Sequence, residues 1–161
     1  MLAEFKKLHP KVDVVVRCNA NRLVEQMMLK AELELAVGSL TVRSADLVSE
    51  PCVPLKMVLF AAKSYPLARK QMSLAEAEKI PLIIRDDGHK HGTTETLLRS
   101  QGFRANIVIR CESHEAIKTA VSNKLGVGIL YWEVVKEEIA RGLFRQVHVS
   151  GVKLEANTYI V

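Results

Sequence analysis

Cysteine, aromatic residues and long apolar runs are all scarce in this chain, and each scarcity excludes something. The three cysteines, Cys18, Cys52 and Cys111, are odd in number, scattered, and free of any Cys-x-x-Cys or Cys/His ligand spacing. A disulfide framework or a structural metal site is therefore not expected, and a reducing compartment, the cytoplasm, fits best. Even the longest uncharged stretches, such as Leu125 to Trp132, are far below the ~18 residues that span a bilayer. Met1-Leu2-Ala3 runs directly into Glu4-Phe5-Lys6-Lys7, too short an apolar start for a secretion signal. Membrane partners are not expected. Aromatic residues make up only 5% of the chain. The net charge is +5, but Lys6-Lys7, Arg17, Arg43, Arg69-Lys70, Arg104 and Arg141 are dispersed. No basic stripe with interleaved aromatics is present, so the chain is not expected to bind nucleic acid directly. An anionic small molecule is the milder consequence of the same charge.

What is present is a globular composition: 161 residues, 48% hydrophobic and 25% charged. The length suits one domain or two small lobes sharing a chain. Strand and helix signals alternate. Val12 to Val16 is short and β-branched and predicts a strand. Caps at Asn19 to Asn21 precede Leu23, Val24, Met27, Met28 and Ala31 at helical spacing, and Leu33 to Val37 predicts a second strand ending at Gly38-Ser39. Together these predict a parallel crossover unit. Leu55 to Ala62 reads as a buried strand. Ser73-Leu74-Ala75-Glu76 is a capping box opening a short helix, and Leu82-Ile83-Ile84 follows as a strand. Thr93 or Thr94 is expected to cap a helix closed by Gly102, and Ser113 to cap another after the strand Ile107 to Ile109. Gly126 to Leu130 predicts a strand with close backbone approach at its start. A helix over 131–140 ending at Gly142, then strands near 144–149 and 159–161, complete an α/β reading.

The order of these signals resembles the effector-binding domain of LysR-type transcriptional regulators. The residues carrying the likeness are Phe5 and Pro10 before Val12 to Val16; Ala31-Glu32-Leu33-Glu34-Leu35-Ala36-Val37, with Glu34 where the family usually has Asp; and Tyr65-Pro66-Leu67-Ala68. To these are added Ser73 to Glu78 before Pro81-Leu82-Ile83, Gly102-Phe103, a strand ending in Glu112, and Leu125-Gly126-Val127-Gly128-Ile129-Leu130. The likeness covers almost the whole chain. It implies a two-lobed, periplasmic-binding-protein-like fold with mainly parallel sheets joined by two crossover strands. Residues 1–62 plus 144–161 would form one lobe, incomplete at its N-terminus, and 63–143 the other. The family's helix-turn-helix and the sensor's first strand are expected to lie outside this chain, so DNA would be reached only through that missing module.

The resemblance also implies a ligand in the interlobe cleft. Open sheets expose such crevices at the carboxyl ends of strands, where helix N-termini offer free N–H groups to anions. The strand ends expected to face it are Gly38 and Ser39, Arg85 and Asp86, Glu112, Ser113 and His114, and Leu130 and Tyr131. Ser113, at a strand end and a helix cap, is the leading candidate for an anion contact, although a capping serine often serves only its helix. Arg85 offers a forked donor, or a salt bridge to Asp86 or Asp87. No cofactor is expected. The expected function is non-enzymatic: sensing a small anionic metabolite and forming a homodimer or higher homo-oligomer, with the helix from Leu23 to Ala31 available for contact.

Sharper chemistry is disfavoured. Asp86-Asp87-Gly88-His89-Lys90-His91 is a loop with a lysine between its histidines, which suits a solvated segment better than a metal site. Cys111, His114 and Glu115 lie close, without an oxyanion motif. Gly126-Val127-Gly128 opens a strand and lacks the third glycine of a dinucleotide fingerprint. The alternatives are an enzyme of the same two-lobed fold, of phosphoribosyltransferase or dehydratase type, and an exported solute-binding protein. The first needs a phosphate-cradling loop or an acid/base pair, and the second an export signal.

Overall fold

The computed structural model describes residues 2–39, 42, 44–67, 71–86, 88 and 92–161. The element that organises them is β2, Glu50–Ala62, a strand of 13 residues. Its N-terminal half pairs antiparallel with β8 (Glu155–Ile160), and its C-terminal half lies between β6 (Val127–Tyr131) and β7 (Phe144–Val149), antiparallel to both. β4 (Pro81–Arg85) runs parallel to β6 on one side and to β5 (Asn106–Cys111) on the other. β1 (Val37–Gly38) joins β8, and β3 (Gln71–Met72) joins β7. The result is one eight-stranded mixed sheet among the described residues.

Period-two alternation along β2 divides the core. Met57, Leu59 and Ala61 face one side with Leu82, Ile84, Val127 and Ile129, against Leu98 of α4 (Thr93–Ser100) and Phe103. Val58 and Phe60 face the other side with Ile83 and Leu130, against Ile117 and Val121 of α5 (His114–Ser122) and Val135 of α6 (Trp132–Ala140). Helices thus cover both faces, which is why β4 and β6 read as continuous apolar runs.

Several sequence expectations hold. Ser73 opens α3 (Leu74–Ala77) with a full capping box: its hydroxyl accepts from the Glu76 amide, and its own amide donates to Glu76 Oε2 at 2.8 Å. Gly102 and Gly142 end α4 and α6 with φ of +72° and +73°. The close approach at Gly126 is real, because a Cβ there would sit 2.5 Å from the Pro81 carbonyl oxygen.

The N-terminal region differs from expectation. Val12–Val16 is not a strand: the segment between α1 (Leu2–Leu8) and α2 (Asn21–Leu29) has no regular structure, and all its valines are exposed. Among the described residues no strand lies beside it to share backbone hydrogen bonds, and β-propensity alone does not sustain an unpaired strand. The second expected strand, Leu33–Val37, shrinks to Val37–Gly38 with a reciprocal backbone pair between Ala36 and Val161 at 2.9 Å. Its partner β8 runs antiparallel, so the predicted parallel crossover does not form there. Parallel pairing is confined to β5-β4-β6 and β3-β7; the sheet is mixed rather than mainly parallel. Ala68 of the turn motif, and Asp87 and His89 to His91 of the polar loop, lie outside the described residues.

One buried carboxylate ties a helix to the sheet edge. Glu95, 7% exposed, accepts from Arg110 of β5 and Arg99 of its own helix, each at 2.8 Å. The Arg110 hydrogen bond, against the opposing effect of burial, holds its carboxyl below the ordinary range.

Packing at Gly128 makes a direct test possible. A Cβ there would lie 2.6 Å from Phe60 Cζ and 2.8 Å from Val121 Cγ2, both on fully buried side chains. Gly128→Ala should lower unfolding free energy by about 1–3 kcal/mol, the usual cost of overpacking a close-packed core, with the urea m-value unchanged. An unaltered urea midpoint would show that the Phe60 ring yields freely.

Candidate functional site

The parallel strands β4 and β6 end at the same edge of the sheet, and the helices that follow the neighbouring strands begin there. Arg85 is the last residue of β4 and Tyr131 the last of β6; His114 opens α5, and Thr93 and Thr94 open α4. Asn21 opens α2 and donates from Nδ2 to Ser39 Oγ at 3.3 Å, which fixes the opposite wall. Met57 of β2 and Ile129 and Leu130 of β6 make the apolar floor. The cleft they enclose is narrow: its cavity volume is about 20 Å³, room for about one water molecule. This is the crevice outside the carboxyl ends of parallel strands, where amides of the first helical turn have no intrahelical acceptor.

Its electrostatics are one-sided. No aspartate or glutamate is among the described residues that line it; Arg85 and His114 are, together with the hydroxyls of Ser39, Thr93, Thr94 and Tyr131. Arg85 Nε and His114 Nε2 are buried and have no hydrogen-bond partner. Buried polar atoms are almost always satisfied, so two orphans in one cleft mark a place where a polar group can be received. The third such atom, Arg145 Nε on β7, does not line the cleft. Burial, reinforced by the positive charges of Arg85 and Lys118, pushes the His114 imidazole below its ordinary value, with Glu115 acting in opposition. Lys118 is itself held between Glu138 at 2.6 Å and Glu115 at 3.2 Å.

Of the residues singled out from the sequence, Ser39, Arg85, His114, Leu130 and Tyr131 line this cleft. Gly38 stands behind it, with its Cβ direction 3.8 Å from Asn21 Oδ1. Asp86 instead accepts from the Gly88 amide at 3.0 Å and does not pair with Arg85. Glu112 and Ser113 are exposed and do not line the cleft; the Ser113 hydroxyl accepts from the Glu115 amide at 3.2 Å, the local capping role, while its neighbour His114 lines the cleft. Thr93 and Thr94 do not cap α4. Gly92 holds the cap position and both threonines sit inside the first turn, beside the cleft. Asn21, Met57 and Ile129 were missed. Asn21 carried a signal in its helix-start position; Met57 carried none, because the cleft reaches it through the buried side of β2.

Most of the Asp86 to His91 loop lies outside the described residues. Burial raises the Cys111 thiol above its ordinary range, away from the reactive thiolate, and Cys111 does not line the cleft. Among the described residues no three His, Cys, Asp or Glu side chains gather as a metal site. No helix among the described residues is long and apolar enough to cross a membrane.

The LysR substrate binding domain family matches residues 1–161. The chain belongs to this family. The HTH-type transcriptional regulator CysL of Bacillus subtilis is 27% identical over 161 residues, covering 96% of this chain and 52% of the regulator. The chain spans about half the length of the curated relatives it matches. Among solved structures, the CcmR regulatory domain of Synechocystis PCC6803, in complex with 2-PG, superposes with a TM-score of 0.81 at 20% identity, covering 99% of this chain and 77% of that one. The effector-binding domain of QuiR, in complex with shikimate, gives 0.78 at 16% identity, covering 99% and 77%. At these identities the likeness carries the fold, which is the periplasmic-binding-protein-like α/β class expected. The matched proteins are transcriptional regulators, not enzymes.

The depressed imidazole gives the cleft a stability signature. An unfolded chain binds the His114 proton more readily than the folded one, so His114 costs nothing above its ordinary value of about 6.5 and destabilises the fold as pH falls below it toward the folded value. Urea unfolding at pH 7.5, 6.5 and 5.5 should show a declining stability that His114→Asn makes shallower. An identical slope in the variant would show that the imidazole is not held neutral by the fold.

Proposed function

We propose that this domain senses a small anionic metabolite in the cleft and, in the intact regulator, converts its binding into a change in DNA-dependent transcription. The single observation that carries the reading is the pair of orphaned nitrogens, Arg85 Nε and His114 Nε2, in a cleft with no acidic lining residue among those described. A guanidinium without a carboxylate partner, beside hydroxyls and the first turns of α4 and α5, suits an oxyanion. The complexes of CcmR with 2-PG and QuiR with shikimate support a small-molecule ligand.

In this reading residues 1–62 plus 144–161 form one lobe and 63–143 the other, with β2 and the β7–β8 return crossing between them. Ligand contacts to Ser39 from one lobe and to Arg85 and His114 from the other would favour the closed arrangement. Signalling requires only that the ligand bind one arrangement of subunits better than another. A homodimer or higher homo-oligomer in the cytoplasm is part of this proposal. The exposed Leu23 and Leu29 on α2 support a contact there.

A thermal-shift screen of small carboxylates and phosphorylated acids, 2-PG and shikimate among them, against neutral isosteres tests the function. Anions should raise the melting temperature in a saturable way; at about 100 times Kd the gain corresponds to roughly 2.7 kcal/mol. Arg85→Gln should weaken the best anion about tenfold or more, consistent with roughly 1.5–3 kcal/mol for a hydrogen bond to a charged group. Equal shifts from neutral isosteres, or an undiminished shift in Arg85→Gln, would refute an anion site at Arg85.

A further inference from the structure

The cleft holds two cationic positions of different kinds. Arg85 is charged at every relevant pH, whereas His114 becomes a cation only by taking a proton. Both present a buried nitrogen without a partner. We propose that the cleft selects doubly charged oxyanions over singly charged ones, and that it does so by placing one proton from solvent on His114 as the dianion settles beside Arg85. This rests on the anion-sensing reading and gives it a ligand class.

Arg85 of β4 and Tyr131 of β6 line the same cleft as His114. On α5 itself are Glu115 and Lys118, and from α6 Glu138 reaches Lys118. Lys118 is itself a cation and opposes an imidazolium, and Glu115 and Glu138 are both committed to Lys118, so neither glutamate supplies an uncommitted counter-charge in the cleft. In the free domain, burial and the Arg85 charge keep the ring neutral. A monoanion cancels the Arg85 charge but leaves burial, the larger cause, holding the ring neutral. A dianion reverses the local sign, because one negative charge remains after Arg85 is matched. The ring then gains a partner that favours its charged form, and as an imidazolium it donates from both nitrogens, which satisfies Nε2. The chemistry balances as neutral His114 plus dianion plus one solvent proton giving the bound pair. No other group needs to change its protonation.

Isothermal titration of the chain with oxalate and with acetate, whose carboxyls stay ionised between pH 6 and 8, tests this. Each is run in two buffers of different ionisation heat to count protons. Oxalate should bind with uptake approaching one proton, and its Kd should weaken by up to about tenfold per pH unit as pH rises, the limit for one linked proton. Acetate should bind with no uptake and a flat profile. In His114→Asn, oxalate should lose both its uptake and its advantage over acetate. Oxalate binding without proton uptake in the unaltered chain would overturn the inference while leaving the anion site standing, and that result needs no variant to fold. Uptake that persists in His114→Asn would equally overturn it. Binding of neither anion would overturn the anion reading and this inference with it.

Discussion

The shared strand β2 is the constraint on which the rest depends. A strand of 13 residues is long enough to hydrogen-bond β8 with one half and β6 and β7 with the other, so one continuous backbone runs through the whole sheet. Its second half, Met57 to Ala62, is buried throughout and lines both cores. Because β6 is held antiparallel to β2 and parallel to β4, the carboxyl ends of β4 and β6 emerge together, and α5 and α6 begin beside them. The cleft is a consequence of that arrangement.

The cleft edge differs from several other polar clusters of the fold. Glu95 is matched by two arginines, Lys118 by two glutamates, and the Ser73 and Glu76 pair by each other. At the cleft the arginine of β4 and the first histidine of α5 are left without partners, above an apolar floor of Met57, Ile129 and Leu130. Burial there disfavours charge on the imidazole, and an arriving anion would favour it. A binding site can thus be written into a domain as an imbalance that only ligand corrects.

The C-terminal two thirds of the chain were legible because each element there is locally self-consistent. The capping box at Ser73, the glycine stops at Gly102 and Gly142, and the apolar runs of β4 and β6 all agree with their neighbours. In the N-terminal third only the helix α2 was legible. Val12 to Val16 has every local mark of a strand, but strand formation needs a partner, and pairing is a property of the sheet rather than of the segment. The site divided in the same way. Residues at strand ends, such as Arg85 and Tyr131, follow from topology. Ser113 and His114 occupy adjacent positions, and only the direction of each side chain decides that the first serves its helix and the second the cleft. Met57 enters through tertiary packing, for which a single sequence carries no period or motif.

The central claim is that Arg85 and His114 together receive an anion. The most direct measurement is nitrogen-detected magnetic resonance of their side chains during an anion titration, with Arg145 Nε, the orphan outside the cleft, as internal control. Arg85 Nε and His114 Nε2 should shift together along one saturation curve while Arg145 Nε stays fixed. Signals from both cleft residues that remain unmoved at saturation, or an Arg145 response that follows the same curve, would contradict the account.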